Sequence, residues 1–393
     1  MLSTEHRAII TATVPILKEG GEALTHHFYL KLFNDYPEVV PFFNQAHQHG
    51  GTQQRALANA ILMYASNIER LEALGPLVST IINKHVALQI QREHYPKVGA
   101  ALLGAIREVL GAQVATDAVI AAWGAAYGQL ADILAGAEEQ IYDSNAQAEG
   151  GWRGAREFKV ASKTVESDEI TSFVFAPVDG GKVMAFKPGQ YITVLVTVDG
   201  AEMRRQYSLS AESNGATYRI SVKREPGGKV SNHLHGDVNA GDTITLFPPA
   251  GAFTLAESTK PLVLISGGVG ITPTLAMLGA ALRTQRPVHF IHAARHAGVH
   301  AFRSHIDQLA EQHPQLSRHY VYETDDGAGA KPHATGYLGQ QQLAAWLPES
   351  RDVDAYFLGP TPFMKAMKSH LRELGVPEAQ TFYEFFGPAE ALQ

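Results

Sequence analysis

The sequence predicts a multidomain protein with an all-α domain first, an antiparallel β-barrel second and an α/β domain with a parallel sheet third. Its 393 residues are enough for two or three domains at roughly 150 residues each. Apolar residues keep helical spacing through the first 143 residues, and strand-like runs begin at Arg156. From Lys260 onward, apolar runs of strand length alternate with helical stretches, which is the pattern of a parallel α/β sheet.

The helical domain is predicted over residues 1–143, because apolar side chains recur there every three or four positions. Examples are Leu24, Phe28 and Leu32 early in the chain, and Leu102, Leu103, Ile106 and Leu110 later. Residues 144–155 turn to Ser, Asn, Gln and paired Gly, a composition that favours a linker.

The barrel is predicted over residues 156–258, where short runs rich in Val, Ile, Tyr, Phe and Thr are separated by Pro-Gly, Asn-Gly and Gly-Gly turns. The clearest runs are 190–198, 218–222 and 243–247. The α/β domain is predicted over residues 259–393, with strands at 261–265, 287–292 and 355–358.

Charge and composition exclude several classes of protein. The net charge of −7 gives no electrostatic reason to expect nucleic acid or an anionic membrane as a partner. The absence of cysteine excludes disulfides, iron–sulfur clusters, thiolate-bound zinc and cysteine catalysis. The chain shows no signal peptide, and no stretch of about 18 apolar residues lacks Gly, Pro and charge. We therefore expect a cytoplasmic monomer with no nucleic-acid partner, no membrane span and no obligatory membrane association.

A glycine-rich loop follows the first predicted strand of the α/β domain and leads into a helix. The loop comprises Gly267, Gly268, Val269, Gly270, Ile271 and Thr272. Glycines let a backbone approach a pyrophosphate closely, Thr272 is expected to cap the helix, and Pro273 suits its first turn. The loop therefore predicts a dinucleotide site. An ordinary tight turn is the alternative, because Pro273 stands where a third glycine would be.

The second predicted strand of this domain ends in His292-Ala293-Ala294-Arg295, without an acidic residue. An acid at this place usually binds the ribose 2′-hydroxyl of NADH, whereas an arginine accommodates the 2′-phosphate of NADPH. Arg295 therefore predicts that NADPH is accepted. A solvated surface arginine is the alternative.

Two segments of the barrel predict a flavin site. Alternation along a strand places Arg205 and Tyr207 on one face, where a guanidinium and an aromatic ring can contact one ligand, with Ser208 beside them. A Gly-rich turn at residues 227–232 opens a short helix and offers a second anion-binding N-terminus. The alternative is a surface arginine and a half-buried tyrosine.

The helical domain carries polar side chains in apolar surroundings. Tyr29 lies inside the apolar run 28–33, and Gln53 opens a helical segment that Phe42-Phe43 precede. A phenol and an amide directed into an apolar site need a hydrogen-bonding partner, and dioxygen held by an iron ion is one. His85 lies among apolar residues, where it is either a metal ligand or a packed core histidine.

The barrel and α/β segments together resemble the ferredoxin-reductase-like superfamily of FAD and NAD(P) oxidoreductases. The resemblance implies that Arg205-Gln206-Tyr207-Ser208 hold the FAD pyrophosphate and isoalloxazine, and that Tyr191 lies beside the flavin. It implies further cofactor contacts at Val230 and Ser231, at the loop 267–272, at the Gly-Pro element 359–364 and at the chain end, Glu384, Phe385, Phe386, Gly387 and Pro388. A final core strand is the alternative for that chain end.

One position departs from the superfamily. Many relatives have a cysteine before the Gly-Pro element, beside the nicotinamide, where this chain has Leu358. Hydride transfer needs no thiol, so the expected reaction class is unchanged, and the substitution bears on nicotinamide position and rate.

The helical domain resembles the bacterial globins. Their distal and proximal positions are matched by Tyr29, Phe43, Gln53, Leu57, Lys84 and His85. The resemblance implies that His85 is the haem ligand and binds the metal. It also implies that Tyr95 and Glu138 are its hydrogen-bonding partners, which make the imidazole a stronger electron donor to iron. The neighbouring Glu139 is the less favoured candidate, and a solvated helix end is the alternative for both.

The whole chain therefore resembles the flavohaemoglobins over nearly all of its residues, which implies haem b, FAD and NAD(P)H as cofactors. The implied activity is nitric oxide dioxygenase: NAD(P)H reduces FAD, FAD reduces the haem, and haem-bound O2 oxidises nitric oxide to nitrate. The implied catalytic residues are Tyr29, Gln53, Tyr95 and Glu138. An oxygen carrier or sensor and an NAD(P)H-dependent reductase of other acceptors are the alternatives. A carrier would leave the whole second part of the chain unexplained.

Overall fold

The computed structural model describes residues 2–43, 51–325, 327 and 329–386. The chain forms two compact units, one helical and ending at Gln147, the other beginning at Ala148 and containing two sheets; the segment Asp199–Arg205 clusters with the first unit. The predicted fold class is confirmed: helices come first, an antiparallel sheet second and a parallel sheet third.

The helical unit contains five long helices among its described residues. They are α1 (Thr4–Asp35), α2 (Thr52–Ser66), α3 (Gly75–Leu88), α4 (Tyr95–Val114) and α5 (Asp117–Gln147). Short 3₁₀ turns occupy Pro37–Phe42, Leu71–Leu74 and Arg92–His94. The hydroxyl of Ser3 caps α1 by accepting from the N–H of His6 at 3.0 Å.

The apolar face predicted for α1 is its buried face. Leu24, Phe28 and Leu32 all lie in the core of the helical unit, as does Ile106 of α4. A spacing of three and four residues puts such side chains on one side of a helix. Each helix therefore turns one apolar face to the shared core.

Helix α5 continues to Gln147, which is four residues into the predicted linker. Ser and Asn have only a weak preference against helix, and the preceding 27 residues of α5 already supply the helical nucleus that makes extension easy. Of the helices in the described part of the chain, α5 is also the one long and apolar enough to cross a membrane by length and composition, with a mean hydropathy of 1.3 over 18 residues. Its buried face carries Glu138, which contacts His85 within the helical unit.

The second unit begins with an antiparallel barrel. Its strands are β1 (Arg156–Val165), β2 (Ile170–Pro177), β3 (Tyr191–Val198), β4 (Ala201–Ser208), β5 (Tyr218–Lys223) and β6 (Thr243–Leu246), in the order β4-β3-β6-β1-β2-β5. A bridge between Leu209, just after β4, and Ile220 of β5 joins the two ends of this order. A short helix, α6 (Lys229–Gly236), follows the predicted Gly-rich turn.

A six-stranded parallel sheet completes the unit. Its strands are β7 (Leu262–Gly267), β8 (Val288–Ala294), β9 (Leu316–Tyr322), β10 (Ala334–Thr335), β11 (Asp354–Leu358) and β12 (Thr381–Tyr383), in the order β10-β9-β8-β7-β11-β12. The accompanying helices are α7 (Ile271–Leu282), α8 (Arg303–Gln312), α9 (Gln340–Trp346) and α10 (Thr361–Glu373). The central strands β7 and β11 are buried on both faces, which explains why their sequences read as unbroken apolar runs.

Candidate functional site

His85, near the end of α3, is held by two residues of other helices. Its Nδ1 lies 2.8 Å from Oε1 of Glu138 and 3.1 Å from the hydroxyl of Tyr95. The same hydroxyl donates to Glu138 Oε1 at 2.6 Å. The three residues predicted on the proximal side are therefore in mutual contact. The structure places Glu138 there, while Glu139 is exposed.

This arrangement determines which ring nitrogen of His85 is available to a metal. An ionised carboxylate only accepts hydrogen bonds, so the contact with Glu138 assigns the proton to Nδ1. The other nitrogen, Nε2, then presents its lone pair, which is the form of imidazole that binds iron. Burial, followed by the hydrogen bond to Glu138, raises the pKa of Tyr95, so its phenol stays protonated and keeps donating. The residues therefore fit a haem iron.

Two further residues of α5 support the His85 region, although the sequence analysis did not assign them to the site. The hydroxyl of Tyr142 donates to the carbonyl of Ile90 at 2.7 Å, and the hydroxyl of Tyr127 donates to the carbonyl of Tyr95 at 2.7 Å. Tyr142 lies four residues after Glu138 and Tyr127 eleven before it, so all three share one helix face. That spacing was a usable signal in the sequence.

The predicted distal residues Tyr29 and Gln53 are brought together by α1 and α2. Their side chains are hydrogen-bonded to each other, and burial raises the pKa of the Tyr29 phenol above its ordinary range. Aromatic rings surround the phenol: the ring centroid of Phe28 lies 4.9 Å away and that of Phe43 5.7 Å away. Tyr29 is thus a protonated donor in an apolar setting.

The remaining predicted haem contacts are at the edge of the same core. Phe43 and Leu57 are partly buried and pack against the helical core that contains Tyr29. Lys84 is partly exposed and precedes His85 on α3.

Strand β4 carries the predicted flavin residues. Arg205 and Tyr207 are partly buried, Gln206 between them is exposed, and Ser208 is buried. This alternation puts the arginine and the tyrosine on one face, as predicted. A guanidinium Nη1 of Arg205 donates to the carbonyl of Arg204 at 2.7 Å.

Tyr191, at the start of β3, lies against a glycine that leaves room for its ring. Gly251 has φ +119°, and a Cβ placed there would lie only 2.9 Å from Cε1 of Tyr191. Burial, and after it the Glu384 carboxylate, raises the pKa of Tyr191. Two predicted flavin residues far apart in the chain are thus close in space. The ring of Tyr191 and the guanidinium of Arg205 are the kinds of group that contact a flavin and its phosphates.

The start of α6 carries Val230 and Ser231, both buried. The Ser231 hydroxyl accepts from the N–H of Glu225 at 3.2 Å and contacts the carbonyl of Gly228 at 3.3 Å. A Cβ at Gly228 would lie 2.6 Å from Ser231 Oγ, so only glycine fits this turn without movement. Helix α6 begins at Lys229 without a side-chain cap, which leaves the N–H groups of its first turn for an anion.

The predicted dinucleotide loop joins β7 to α7. A 3₁₀ turn covers Gly268–Gly270, with Gly268 at φ +53°, and α7 begins at Ile271. Pro273 lies in the first turn of α7, as expected. The predicted cap was wrong: Thr272 is already inside the helix and its hydroxyl donates back to the carbonyl of Val269 at 3.0 Å, so α7 has no side-chain cap. The N–H of Ile271 donates to the carbonyls of Gly268 and Val269 and Pro273 has no N–H, so the close approach of a phosphate depends on the loop glycines.

The loop meets the Gly-Pro element that follows β11. A Cβ at Gly270 would lie 2.4 Å from the carbonyl oxygen of Leu358, and a Cβ at Gly267 would contact the ring of Phe363 at 3.3 Å. Strands β7 and β11 are parallel neighbours, with Ser266 opposite Leu358, so the loops after them leave the same edge of the sheet. Two predicted elements are thus adjacent, at the edge where such sheets bind dinucleotides.

We expect Gly270→Ala to destabilise the protein by about 1–3 kcal/mol, because the new methyl group meets backbone atoms that cannot rotate away. Thermal and denaturant unfolding measure this effect. The control is Gly279→Ala in the helix that follows, α7, where the nearest atoms belong to the flexible side chain of Glu212. Equal stability of both variants would show that the Leu358 backbone yields easily.

The chain end, for which cofactor contacts are predicted, is described as far as Phe386 and lies beyond the last strand. β12 ends at Tyr383, and the Tyr383 and Phe385 rings then contact edge to face at 6.0 Å between centroids. Phe386 is half exposed. Gly387 and Pro388 lie outside the described residues.

Family models match three consecutive parts of the chain. They are Globin over residues 26–134, Oxidoreductase FAD-binding domain over residues 157–255 and Oxidoreductase NAD-binding domain over residues 264–369. The three follow one another in the same order as the helical unit, the barrel and the parallel sheet.

Full-length relatives and solved structures agree with these matches. The flavohemoproteins of Burkholderia sp. strain TH2 and Pseudomonas putida are each 65% identical to this chain, over 100% of both chains. A flavohemoglobin of Malassezia yamatoensis, solved with bound FAD and heme, is 28% identical with a TM-score of 0.87, covering 98% of this chain and 100% of its own. The FAD/NAD-binding domain of a Vibrio cholerae nitric oxide dioxygenase is 41% identical with a TM-score of 0.56, covering 60% of this chain and 100% of its own. The chain belongs to the flavohemoprotein family, whose cofactors are haem, FAD and a nicotinamide dinucleotide.

Proposed function

We propose that this protein is a nitric oxide dioxygenase, an NAD(P)H- and O2-dependent oxidoreductase that detoxifies nitric oxide by converting it to nitrate. Support comes from its family and from the related reductase domain named as part of a nitric oxide dioxygenase. When bound, the nicotinamide and the flavin supply electrons to the haem iron, at which dioxygen oxidises nitric oxide.

The contact between the buried Glu138 carboxylate and Nδ1 of His85 is the observation that carries this proposal. A carboxylate on that nitrogen makes the imidazole a stronger electron donor to iron, which favours oxidation chemistry over simple storage of oxygen. Glu138 holds the proton at Nδ1, Tyr95 keeps the carboxylate in place, and Nε2 of His85 binds the iron.

The distal residues orient the gaseous substrate. Tyr29 donates its phenolic hydrogen to dioxygen, where negative charge develops, and Gln53 fixes the direction of that phenol through their hydrogen bond. Phe43 and Leu57 contribute apolar surface that excludes water, which strengthens each hydrogen bond in the site.

The barrel and the parallel-sheet domain bind the two nucleotides. Arg205 pairs with the FAD phosphates, Tyr207 and Tyr191 contact the flavin ring, and Ser208 with Gln206 offers polar contacts at its edge. The helix start at Val230 and Ser231 supplies N–H groups to the phosphates, and Glu384 and Phe385 cover the flavin. The loop 267–272 binds the pyrophosphate of the nicotinamide nucleotide, because its glycines let the backbone approach the phosphates closely.

Arg205→Ala should purify with depleted FAD. The variant loses charge-assisted contacts worth about 1.5–3 kcal/mol each, so FAD affinity should fall at least tenfold. Flavin content per protein and titration of the apoprotein with FAD measure this. Arg283→Ala, which removes an exposed arginine paired with Glu212, is the matched control and should keep full FAD. Unchanged affinity in Arg205→Ala would remove this residue from the flavin site.

Stopped-flow mixing of the oxygenated protein with nitric oxide tests the function itself. Immediate oxidation to the ferric protein, with one nitrate formed for each nitric oxide consumed, is the expected result. A slow or absent reaction with normal oxygen binding would instead indicate a carrier or sensor. Rapid NAD(P)H-dependent reduction of other acceptors, without nitrate, would indicate a general reductase.

We also propose that the protein acts in the cytoplasm as a monomer, with O2 and nitric oxide as its partners and no requirement for nucleic acid or a membrane. Light scattering at working concentrations checks the monomer, and a mass of two chains would contradict it.

A further inference from the structure

The carboxyl end of β8 is the place where a doubly wound sheet distinguishes the two nicotinamide dinucleotides. β8 lies parallel to β7, with Ala293 opposite Gly267, so its end is adjacent to the pyrophosphate loop. In such folds the residue at the end of this second strand reads the 2′-position of the adenosine ribose. Arg295 occupies that place here.

Arg295 is paired with a carboxylate from elsewhere in the same unit. Its guanidinium donates to Oε1 of Glu169, in the turn between β1 and β2. The turn is held in place from both sides: the N–H of Asp168 donates to the carbonyl of Gly298 at 2.9 Å, and Ile170 is buried in the core of the parallel sheet. The position of the Glu169 carboxylate is therefore set by the fold.

The surroundings of Arg295 carry more negative than positive charge. Glu169 follows Glu166 and Asp168 in one turn, and a Cβ at Gly298, just after Arg295, would lie 2.3 Å from Oδ2 of Asp168. On the other side, the N–H groups of Glu323 and Thr324 donate to the carbonyls of Ala294 and Arg295, with Asp325 following.

Two neighbouring arginines offset only part of this negative charge. Arg224 donates its N–H to the carbonyl of Glu169, but its guanidinium bonds Asn232 instead. Arg219 interacts electrostatically with Glu166.

We propose that the Glu169–Arg295 pair selects the ribose 2′-position and favours the free 2′-hydroxyl of NADH over the 2′-phosphate of NADPH. A hydroxyl both donates and accepts, so it can bond the carboxylate and the guanidinium while the pair stays intact. A 2′-phosphate carries up to two negative charges and must displace Glu169 from Arg295 among further carboxylates. The inference rests on the dinucleotide use in the proposed function, and it runs opposite to the prediction of NADPH acceptance made from Arg295 alone.

The first test uses the FAD-loaded, full-length protein. Single-turnover reduction of the bound flavin by NADH and by NADPH gives the two rate constants, and calorimetry with NAD⁺ and NADP⁺ gives the two affinities. We expect NADH to be favoured by at least about tenfold, equivalent to about 1.4 kcal/mol. The preference should shrink as salt is added, because the pair is partly exposed. Equal use of both nucleotides, or a preference for NADPH, overturns the proposal. Failure of both to reduce the flavin overturns the proposed function instead.

Substitutions then separate the two residues. Glu169→Gln should raise NADP⁺ affinity and NADPH efficiency about tenfold, or by about 1.4 kcal/mol, with NADH changed less than twofold. The double variant Glu169→Gln with Arg295→Ala should lose that gain, because the freed arginine is what would bind the phosphate. Glu212→Gln, which breaks another carboxylate–arginine pair of this unit, is the matched control and should leave both nucleotides unchanged. If Arg295→Ala alone weakens NADP⁺ binding while Glu169→Gln has no effect, Arg295 binds the phosphate directly and the proposal is wrong.

Discussion

His85→Ala should abolish stoichiometric haem binding and leave FAD binding and flavin reduction by NAD(P)H intact. His85 Nε2 is the nitrogen left for iron once Glu138 and Tyr95 engage Nδ1. The FAD-binding and NAD-binding matches lie in other parts of the chain, so their chemistry does not depend on this imidazole. The absorbance of the haem and flavin bands in the purified variant measures both outcomes.

Two companion variants make this test decisive. His27→Ala removes an exposed histidine of α1 that pairs with Glu108, and it should retain full haem. His85→Gly leaves space for added imidazole, which should restore haem binding if the lost group is only a ligand. A normal five-coordinate haem spectrum in His85→Ala would show that another histidine binds the iron. Loss of haem that imidazole cannot restore, together with lost helicity, would show that His85 is needed chiefly for folding.

The local parts of the fold could be predicted because they follow from short-range spacing. Helical periodicity identified the buried face of α1, and the turns between apolar runs marked six of the described strands to within two residues. The choice of Glu138 over Glu139 also followed from helical register, since only one of two adjacent residues can face His85.

What could not be predicted depends on contacts between distant parts of the chain. Glu169 and Arg295 are 126 residues apart, and only the packing of the β1–β2 turn against the loop after β8 brings them together. The contact of Gly270 with the Leu358 backbone likewise requires β7 and β11 to be neighbours in the sheet. The sequence showed the arginine without its carboxylate, and it therefore suggested only that NADPH is accepted.

In the proposed function, the distal pair Tyr29 and Gln53 distinguishes oxygen chemistry from haem binding alone. Tyr29 and Gln53 lie on different helices, yet their side chains are hydrogen-bonded, and burial raises the pKa of the phenol, which keeps it protonated. A buried phenol that already has an amide partner can turn its hydrogen to a more negative acceptor when one enters the site. Dioxygen carrying partial negative charge is such an acceptor.

Tyr29→Phe should therefore speed the dissociation of oxygen about 10- to 100-fold, because a hydrogen bond to a charged group contributes about 1.5–3 kcal/mol. The ring that packs against Phe28 and Phe43 is kept, so haem content and flavin reduction should survive. Stopped-flow measurement of oxygen release, and of nitric oxide consumption at low oxygen, gives the two readouts, and both should show the loss.

The matched control for this variant is Tyr64→Phe. Tyr64 is also buried in the helical core, but its hydroxyl donates to the carbonyl of Ala126 at 3.1 Å, so its removal should leave oxygen release unchanged. If Tyr29→Phe released oxygen at the rate of the unmodified protein, the Tyr29 phenol would be a packing residue bonded only to Gln53. Dioxygen would then be stabilised without it, and the proposed dioxygenase site would lose its principal hydrogen-bond donor.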